Sequence, residues 1–277
     1  MNEFQLKQGE HLLYEQDLSL QHLHLELLRV DVLIRKAVRS WQLAGQNPAD
    51  KFRGLYISEK DVIDILQRPI GGGWGANFSL PADENQSFSD ADKHIHTQIQ
   101  QVAEEARKQR QTIRLLDLKN KFQLSAFDFD AFLLCIAPTL DTRYERVYGY
   151  LQDDVTNKYP GIGLILDVLL PSGLKRLQYL DHFLEHAPLL RYGLLKKLNP
   201  PQQNGHSALR QFHLASPEIV SWLMGQYRPA EHLSDHIVLT HPGDSLEITG
   251  DPIEFDLNWE TLAEQKPALV LYGIDEQ

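Results

Sequence analysis

Apolar residues recur at spacings of three and four along Leu18–Leu43. Leu20, Leu23, Leu27, Val30, Ile34, Ala37, Val38 and Trp41 form one stripe, which predicts an amphipathic helix. Leu25, Leu28, Val32 and Leu33 widen that stripe, so the helix is expected to be contacted from more than one side; Gly45 and Pro48 mark its end. Ser58-Glu59-Lys60-Asp61 resembles a capping box with Asp in place of Glu and opens a short helix through Leu66 that Pro69 stops. Residues 69–88, with Gly71-Gly72-Gly73-Trp74-Gly75 and then Ser79-Leu80-Pro81-Ala82-Asp83, are turn-rich and read as a boundary loop.

Helical spacing resumes at residue 89 and continues to about 111 with a strongly polar face. Ile113-Arg114-Leu115 predicts a short strand, 116–122 a short helix and Gln123-Leu124 a turn, and Ser125 is a suitable N-cap for a helix over 126–136. Helix, tight turn and second helix make a helix-turn-helix. Further helices are expected over 143–155, 161–170 and 174–185, the last ended by Pro188. Two strands, 194–198 and 209–214, flank the polar linker Asn199-Pro200-Pro201-Gln202-Gln203-Asn204-Gly205-His206, the pattern of a β-hairpin wing. Ser216-Pro217 supplies an N-cap with proline at the first helical position, and Gly225 closes that helix. The expected fold class is α+β, mostly α: a helical domain with a winged-helix core of helix-turn-helix plus β-hairpin wing. Its expected stretches are an N-terminal helical region with a Gly-rich loop (1–88), the winged-helix core (89–229) and an acidic, strand-forming junction (230–277).

Composition sharpens this picture in two places. With 277 residues and 42% hydrophobic content the chain can bury a substantial core. The net charge of −11 is uneven: residues 231–277 hold eleven carboxylates against the single Lys266, a balance of −10 that leaves about −1 for the rest. An acidic chain argues against nonspecific nucleic-acid binding, which draws its affinity from phosphate neutralisation, but a nearly neutral body with an acidic tail argues less firmly and leaves room for a local basic face. The single cysteine, Cys135, lies in the apolar run Phe132-Leu133-Leu134-Cys135-Ile136 and is expected to be a buried, inert thiol. No signal-peptide pattern follows Met1 and no apolar run of about 18 residues occurs, so the expected location is the cytoplasm.

Candidate chemistry is sparse. The nucleotide-binding pattern GxxxxGK[ST] is absent, and Gly71–Gly75 has neither a preceding strand nor a lysine beside it. His182-Phe183-Leu184-Glu185-His186 matches the H-x-x-E-H zinc-peptidase pattern, which needs both histidines on one continuous helix face and a third ligand. Pro188 directly afterwards argues instead for a solvated helix end; His232/Asp235/His236 is a similar pair, and His22 and His24 are two apart and diverge. Asp153-Asp154 and Asp128 with Asp130 read as capping or surface charge. The basic run Arg107, Lys108, Arg110, Arg114, Lys119, Lys121 overlaps the first helix of the helix-turn-helix, whereas duplex reading places such side chains on the second. That second helix, Ala126-Phe127-Asp128-Phe129-Asp130-Ala131-Phe132, reads as a core helix.

At Phe52-Arg53-Gly54-Leu55-Tyr56-Ile57-Ser58, at Phe122-Gln123-Leu124-Ser125 and above all through Ala137-Pro138 and Asp141-Thr142-Arg143-Tyr144-Glu145-Arg146-Val147-Tyr148-Gly149-Tyr150-Leu151-Gln152-Asp153-Asp154-Val155-Thr156, the sequence resembles a known family. It is similar to the N-terminal region of prokaryotic AAA+ family ATPases that carry a winged-helix domain, including those encoded beside phage-tail-like contractile injection systems. Ala187-Pro188-Leu189-Leu190 and Ser216-Pro217-Glu218-Ile219-Val220 through Gly225 fit the same pattern, so the resemblance covers about residues 50 to 277. In that family the Walker motifs lie C-terminal to this region. They are missing here, so no ATPase residue carries over, and the resemblance implies a fragment or domain that recognises and does not hydrolyse. The strand-like Leu269-Val270-Leu271-Tyr272 meeting Gly273 is the place where such a motor would begin.

The expectation is a non-catalytic adaptor of a AAA+ machine that remodels or disassembles protein complexes. It calls for no cofactor and no metal. Its expected partners are a protein substrate or complex and a C-terminal ATPase domain outside this sequence, with oligomerisation through that motor and neither membrane nor nucleic acid involved. Trp74 and Phe78 in the Gly-rich loop, and Asn204 and His206 in the wing linker, are the expected partner contacts. The alternative is a DNA-binding winged-helix regulator, whose salt-sensitive duplex binding would rest on Arg107, Lys108 and Arg110.

Overall fold

The computed structural model describes residues 17–44, 59–67, 79–198 and 207–226. All of them belong to the first of two units, Met1–Ile237 and Val238–Gln277. Helix α1, Leu18–Leu43, has the predicted bounds. The Asp17 carboxylate caps it, accepting from the backbone N–H groups of Ser19 and Leu20 at 2.9 and 3.0 Å. Leu23, Val30, Ile34 and Trp41 of the predicted stripe are buried, and α1 is packed by several helices, as its wide apolar face requires. The short helix α2, Glu59–Leu66, follows as expected.

Helix α3, Ala82–Lys108, begins seven residues before the expected start, so the anticipated division at residue 88 falls inside it. Residues 83–87 are polar and look like a loop, but Asp83 and Glu84 suit the positive end of the helix dipole. Arg39 of α1 then grips the Glu84 carboxylate through Nε and Nη2 at 2.6 and 2.7 Å, fixing that first turn to α1. The predicted strand 113–115 is also corrected. Ile113 is extended, but Arg114 starts helix α4, Arg114–Lys121. Its backbone N–H donates to Ser19 Oγ, its Nε to the Leu223 carbonyl and its Nη2 to Asp17 Oδ2, each at 2.9 Å. Those partners lie about a hundred residues away, beyond any local pattern.

The turn Phe122–Gln123, with Gln123 at φ 51°, leads to α5, Ala126–Leu140. Ser125 and Asp128 form the capping box: Asp128 N–H donates to Ser125 Oγ at 3.1 Å and Ser125 N–H to Asp128 Oδ2 at 3.0 Å. The helix passes through Pro138, beyond its expected end at 136. Pro138 has no N–H for the Leu134 carbonyl, and the buried Tyr148 hydroxyl donates to that carbonyl instead, at 2.9 Å. Phe129 and residues 131–137 are buried, confirming α5 as a core helix. Cys135 is fully buried, and burial pushes its thiol well above the usual range. A buried ion cluster joins α5 to α1: Arg29 donates to Glu26 at 2.7 Å and to Asp130.

Helix α6 is Arg143–Leu151, four residues shorter than predicted. Asp153 takes φ 56° and the chain folds back over Gly149, where an added Cβ would lie 3.2 Å from both the Asp154 carbonyl oxygen and Val155 Cα. Gly161 then forms an antiparallel bridge with Phe212 and leads into α7, Ile162–Leu169. The expected α-helix over 174–185 is a 3₁₀ helix, Leu174–Phe183. Pro188 does not end it but opens α8, Pro188–Arg191, as that helix's first residue.

Strands β1, Leu195–Leu198, and β2, Phe212–Ala215, pair antiparallel with Leu195 opposite Ala215 and Leu198 opposite Phe212. The second strand starts later than predicted because Ser207 caps a 3₁₀ turn, Ala208–Arg210. Helix α9, Pro217–Leu223, begins at Ser216-Pro217, and Gly225 follows at φ 80° as predicted. The order bridge, helix, turn, 3₁₀ helix, short helix α8, strand, wing linker and strand is a winged helix, built on the core formed by α1 and α4 to α7. Among the described residues no helix is long and apolar enough to cross a membrane.

Candidate functional site

Two helix-turn-helix units are present among the described residues. The predicted one, α4 and α5, is committed to the core, and the basic run around it is dispersed. Arg114 is consumed by its clasp on Asp17 and Leu223. Lys121 pairs with Asp117 at 3.0 Å, Lys108 with Glu105 at 3.7 Å, and Lys119 lies over the Phe129 ring. The second unit, α7 with the 3₁₀ helix, precedes the wing, with only the short helix α8 between them.

Its rigidity comes from three attachments. Arg176, buried to 6% exposure, pairs with Asp167 of α7 at 2.5 Å across the turn at Gly173. His182 Nδ1 lies 2.7 Å from Asp128 Oδ1, so the capping box of α5 also holds the 3₁₀ helix. Tyr179 and His182 stack at 5.5 Å, and both pack on Phe127 at 4.7 and 4.9 Å. Behind them His213 of β2 is buried against Phe183. Burial, and then the nearby Lys197 charge, lower its pKa to about 4, against smaller opposing influences from the Gln211 backbone and Glu185.

The 3₁₀ period places residues three apart on one line. Arg176, Tyr179 and His182 face inward, and Lys175, Gln178, Asp181 and Leu184 form an exposed outer stripe. Leu174 at the start of the 3₁₀ helix and Leu184 at its end are 62 and 45% exposed. Lysines at the base of the wing are paired: Lys196 with Glu218 at 3.1 Å and Lys197 with Glu185 at 2.5 Å. The outer stripe, with Lys175 against Asp181, is neutral and partly apolar. It offers one cation, one anion, an amide and aliphatic groups, with no surplus of positive charge for phosphates.

This geometry dismantles the H-x-x-E-H pattern. The 3₁₀ helix ends at Phe183, His182 is engaged with Asp128, Glu185 is engaged with Lys197, and His186 stands beyond the helix. Asp128 serves as a cap, as expected, whereas Asp130 is neither a cap nor a free surface charge but the partner of Arg29 across to α1. His22 is buried, and burial followed by the Lys119 charge lowers its pKa to about 4. Trp74, Phe78, Asn204 and His206, the expected partner contacts, lie outside the described residues. The outer stripe escaped the sequence reading because its period of three scatters around the circumference when drawn at 3.6 residues per turn.

Residues 5–237 match the family model described as winged helix domain, variant. The chain belongs to the variant winged helix domain family. No curated protein and no solved structure matches it. Within this winged helix domain, the residues that carried the sequence resemblance have structural work: Tyr148 satisfies Leu134, and Gln152 and Asp154 shape the loop that precedes the Gly161 bridge.

Proposed function

We propose that this winged helix domain is a non-catalytic protein-recognition region, the N-terminal adaptor part of a AAA+ ATPase that remodels or disassembles protein complexes, of the kind encoded beside contractile injection systems. The observation that carries the recognition part is the neutral, partly apolar stripe of Lys175, Gln178 and Asp181 on the 3₁₀ helix with Leu184 at its C-cap. A duplex reader would present basic and amide groups there; an Asp in the middle of the stripe repels the backbone it would have to approach. The AAA+ assignment is supported by the resemblance through residues 137–156 and by the lack of a phosphate-binding loop of its own. ATP hydrolysis would then reside in a C-terminal motor, and the domain needs neither cofactor nor metal.

Two measurements test it. Fluorescence anisotropy with labelled duplex DNA at two salt concentrations is expected to show no specific binding. Affinity that falls about a thousandfold or more between 50 and 200 mM salt, and is lost on neutralising Arg107, Lys108 and Arg110, would establish the DNA-binding regulator instead. An immunoblot of source cells is expected to show a band well above 31.8 kDa; a band at that mass removes the attached motor.

A further inference from the structure

We infer that the outer stripe of the 3₁₀ helix is a self-association surface whose occupant is a second copy of this chain, laid antiparallel across it about a two-fold axis at Gln178. The inference rests on the protein-recognition reading and names the partner of that same stripe.

The charges decide the occupant. Lys175 and Asp181 are both exposed, and neither has an ion-pair partner among the described residues. Their charged neighbours are already matched: Glu185 is taken by Lys197, Lys196 by Glu218 and Asp167 by Arg176. With one cation and one anion, the stripe has no net charge to attract an acidic or a basic partner. The two charges stand three residues either side of Gln178, so what the stripe matches is its own reverse. Turning it end for end about Gln178 brings Lys175 of each copy opposite Asp181 of the other. The two Gln178 amides, each able to donate and accept, then meet on the axis, as a closed two-fold interface requires.

The 3₁₀ form makes this match. At three residues per turn Lys175, Gln178 and Asp181 share one line, whereas in an α-helix Lys175 and Asp181 would stand about 120° apart around the axis. At about 2.0 Å of rise per residue the two ion pairs lie roughly 12 Å apart. Leu184, 45% exposed, comes within about 4 Å, measured along the axis, of the other copy's Leu174, 62% exposed. On the inner side Arg176 is tied to Asp167 and His182 to Asp128. A fixed backbone thus presents the outer side chains, and little conformational entropy is lost on pairing. Two exposed ion pairs with a leucine contact at each end make a small interface, of the class that associates weakly and reversibly.

Sedimentation equilibrium of the full chain from about 10 μM to about 1 mM tests the pairing. The samples are the wild type, Lys175→Glu, Asp181→Lys, an equimolar mixture of those two variants, and the double variant carrying both substitutions. Both side chains are exposed, so each variant should keep the wild-type circular dichroism and melting temperature. The wild type is expected to move from 31.8 kDa toward twice that mass as concentration rises, and to do so less at high salt, which screens exposed pairs. Each single variant sets like charges against each other at both ends and should dimerise about tenfold or more weakly. The mixture and the double variant restore opposite charges at both ends and should regain the wild-type affinity. A wild type that stays monomeric, single variants that dimerise as the wild type does, or a mixture that fails to regain association would overturn the self-pairing. A monomeric wild type leaves the protein-recognition reading standing, because that reading fails on salt-sensitive DNA binding and not on oligomeric state.

Discussion

Pro138 and Tyr148 offer the sharpest test of how this core is held. A proline inside α5 deprives the Leu134 carbonyl of its helical donor, and the Tyr148 hydroxyl replaces that donor at 2.9 Å in a site with no solvent exposure. Tyr148→Phe removes the hydroxyl and leaves the ring packing intact, so the cost is that of an unsatisfied buried carbonyl, about 2 kcal/mol. In a domain of this size that lowers the melting temperature by roughly 4–8 °C. Urea unfolding at pH 7, followed by circular dichroism, should show a lower midpoint with an unchanged slope. The decisive arm is a double-mutant cycle with Pro138→Ala. Replacing the proline restores a helical N–H to the Leu134 carbonyl, and in that background Tyr148→Phe should cost less than about 0.5 kcal/mol. An equal cost in both backgrounds would refute the reasoning and show that the hydroxyl acts by some means other than replacing the proline's missing donor.

Further predictions concern acid, the buried ion cluster and the Gly149 turn. His22 and His213 are held neutral, with folded pKa values of about 4 against 6.5. Their contribution is present above about pH 6.5 and is lost as pH falls toward 4, about 2–3 kcal/mol each by pH 4.5. Glu218, lowered to about 2 by its Ser216 hydrogen bond, and Asp17, lowered by its net hydrogen bonding and the Arg114 charge against burial, lose stability only below their ordinary carboxylate range. Unfolding measured between pH 7 and 4.5 should therefore flatten in His22→Gln and His213→Gln; an unchanged slope in both contradicts the assignment. Asp130→Ala leaves Arg29, 9% exposed, with Glu26 alone, and should cost about 2–3 kcal/mol by urea titration, less than a fully orphaned charge. Gly149→Ala sets a Cβ 3.2 Å from two backbone atoms and should cost about 1–3 kcal/mol; a neutral result would mean that the 153–158 loop is free to retreat.

Much of the secondary structure follows from signals a few residues long. The wide stripe of α1, the Ser125 capping box, Ser216-Pro217 before α9 and Gly225 after it each act within one or two helical turns, and each of these helices starts where the sequence places it. The β-hairpin is legible for the same reason, as two apolar runs around a polar linker. The same is true of the apolar segment around Cys135, which buries because nothing in it is polar enough to stay outside.

Tertiary structure decided what those signals could not. Whether residues 113–115 form a strand or start a helix depends on Asp17, Ser19 and Leu223 receiving Arg114, and the early start of α3 depends on Arg39 meeting Glu84. The 3₁₀ form of 174–183 goes with Asp128 holding His182 and Asp167 holding Arg176, and that form alone creates the outer stripe on which the functional reading stands. A single sequence reports periodicity and caps because they arise from neighbours along the chain. Ion pairs and hydrogen bonds spanning tens of residues depend on which surfaces the packed helices bring together, and that is settled only in three dimensions.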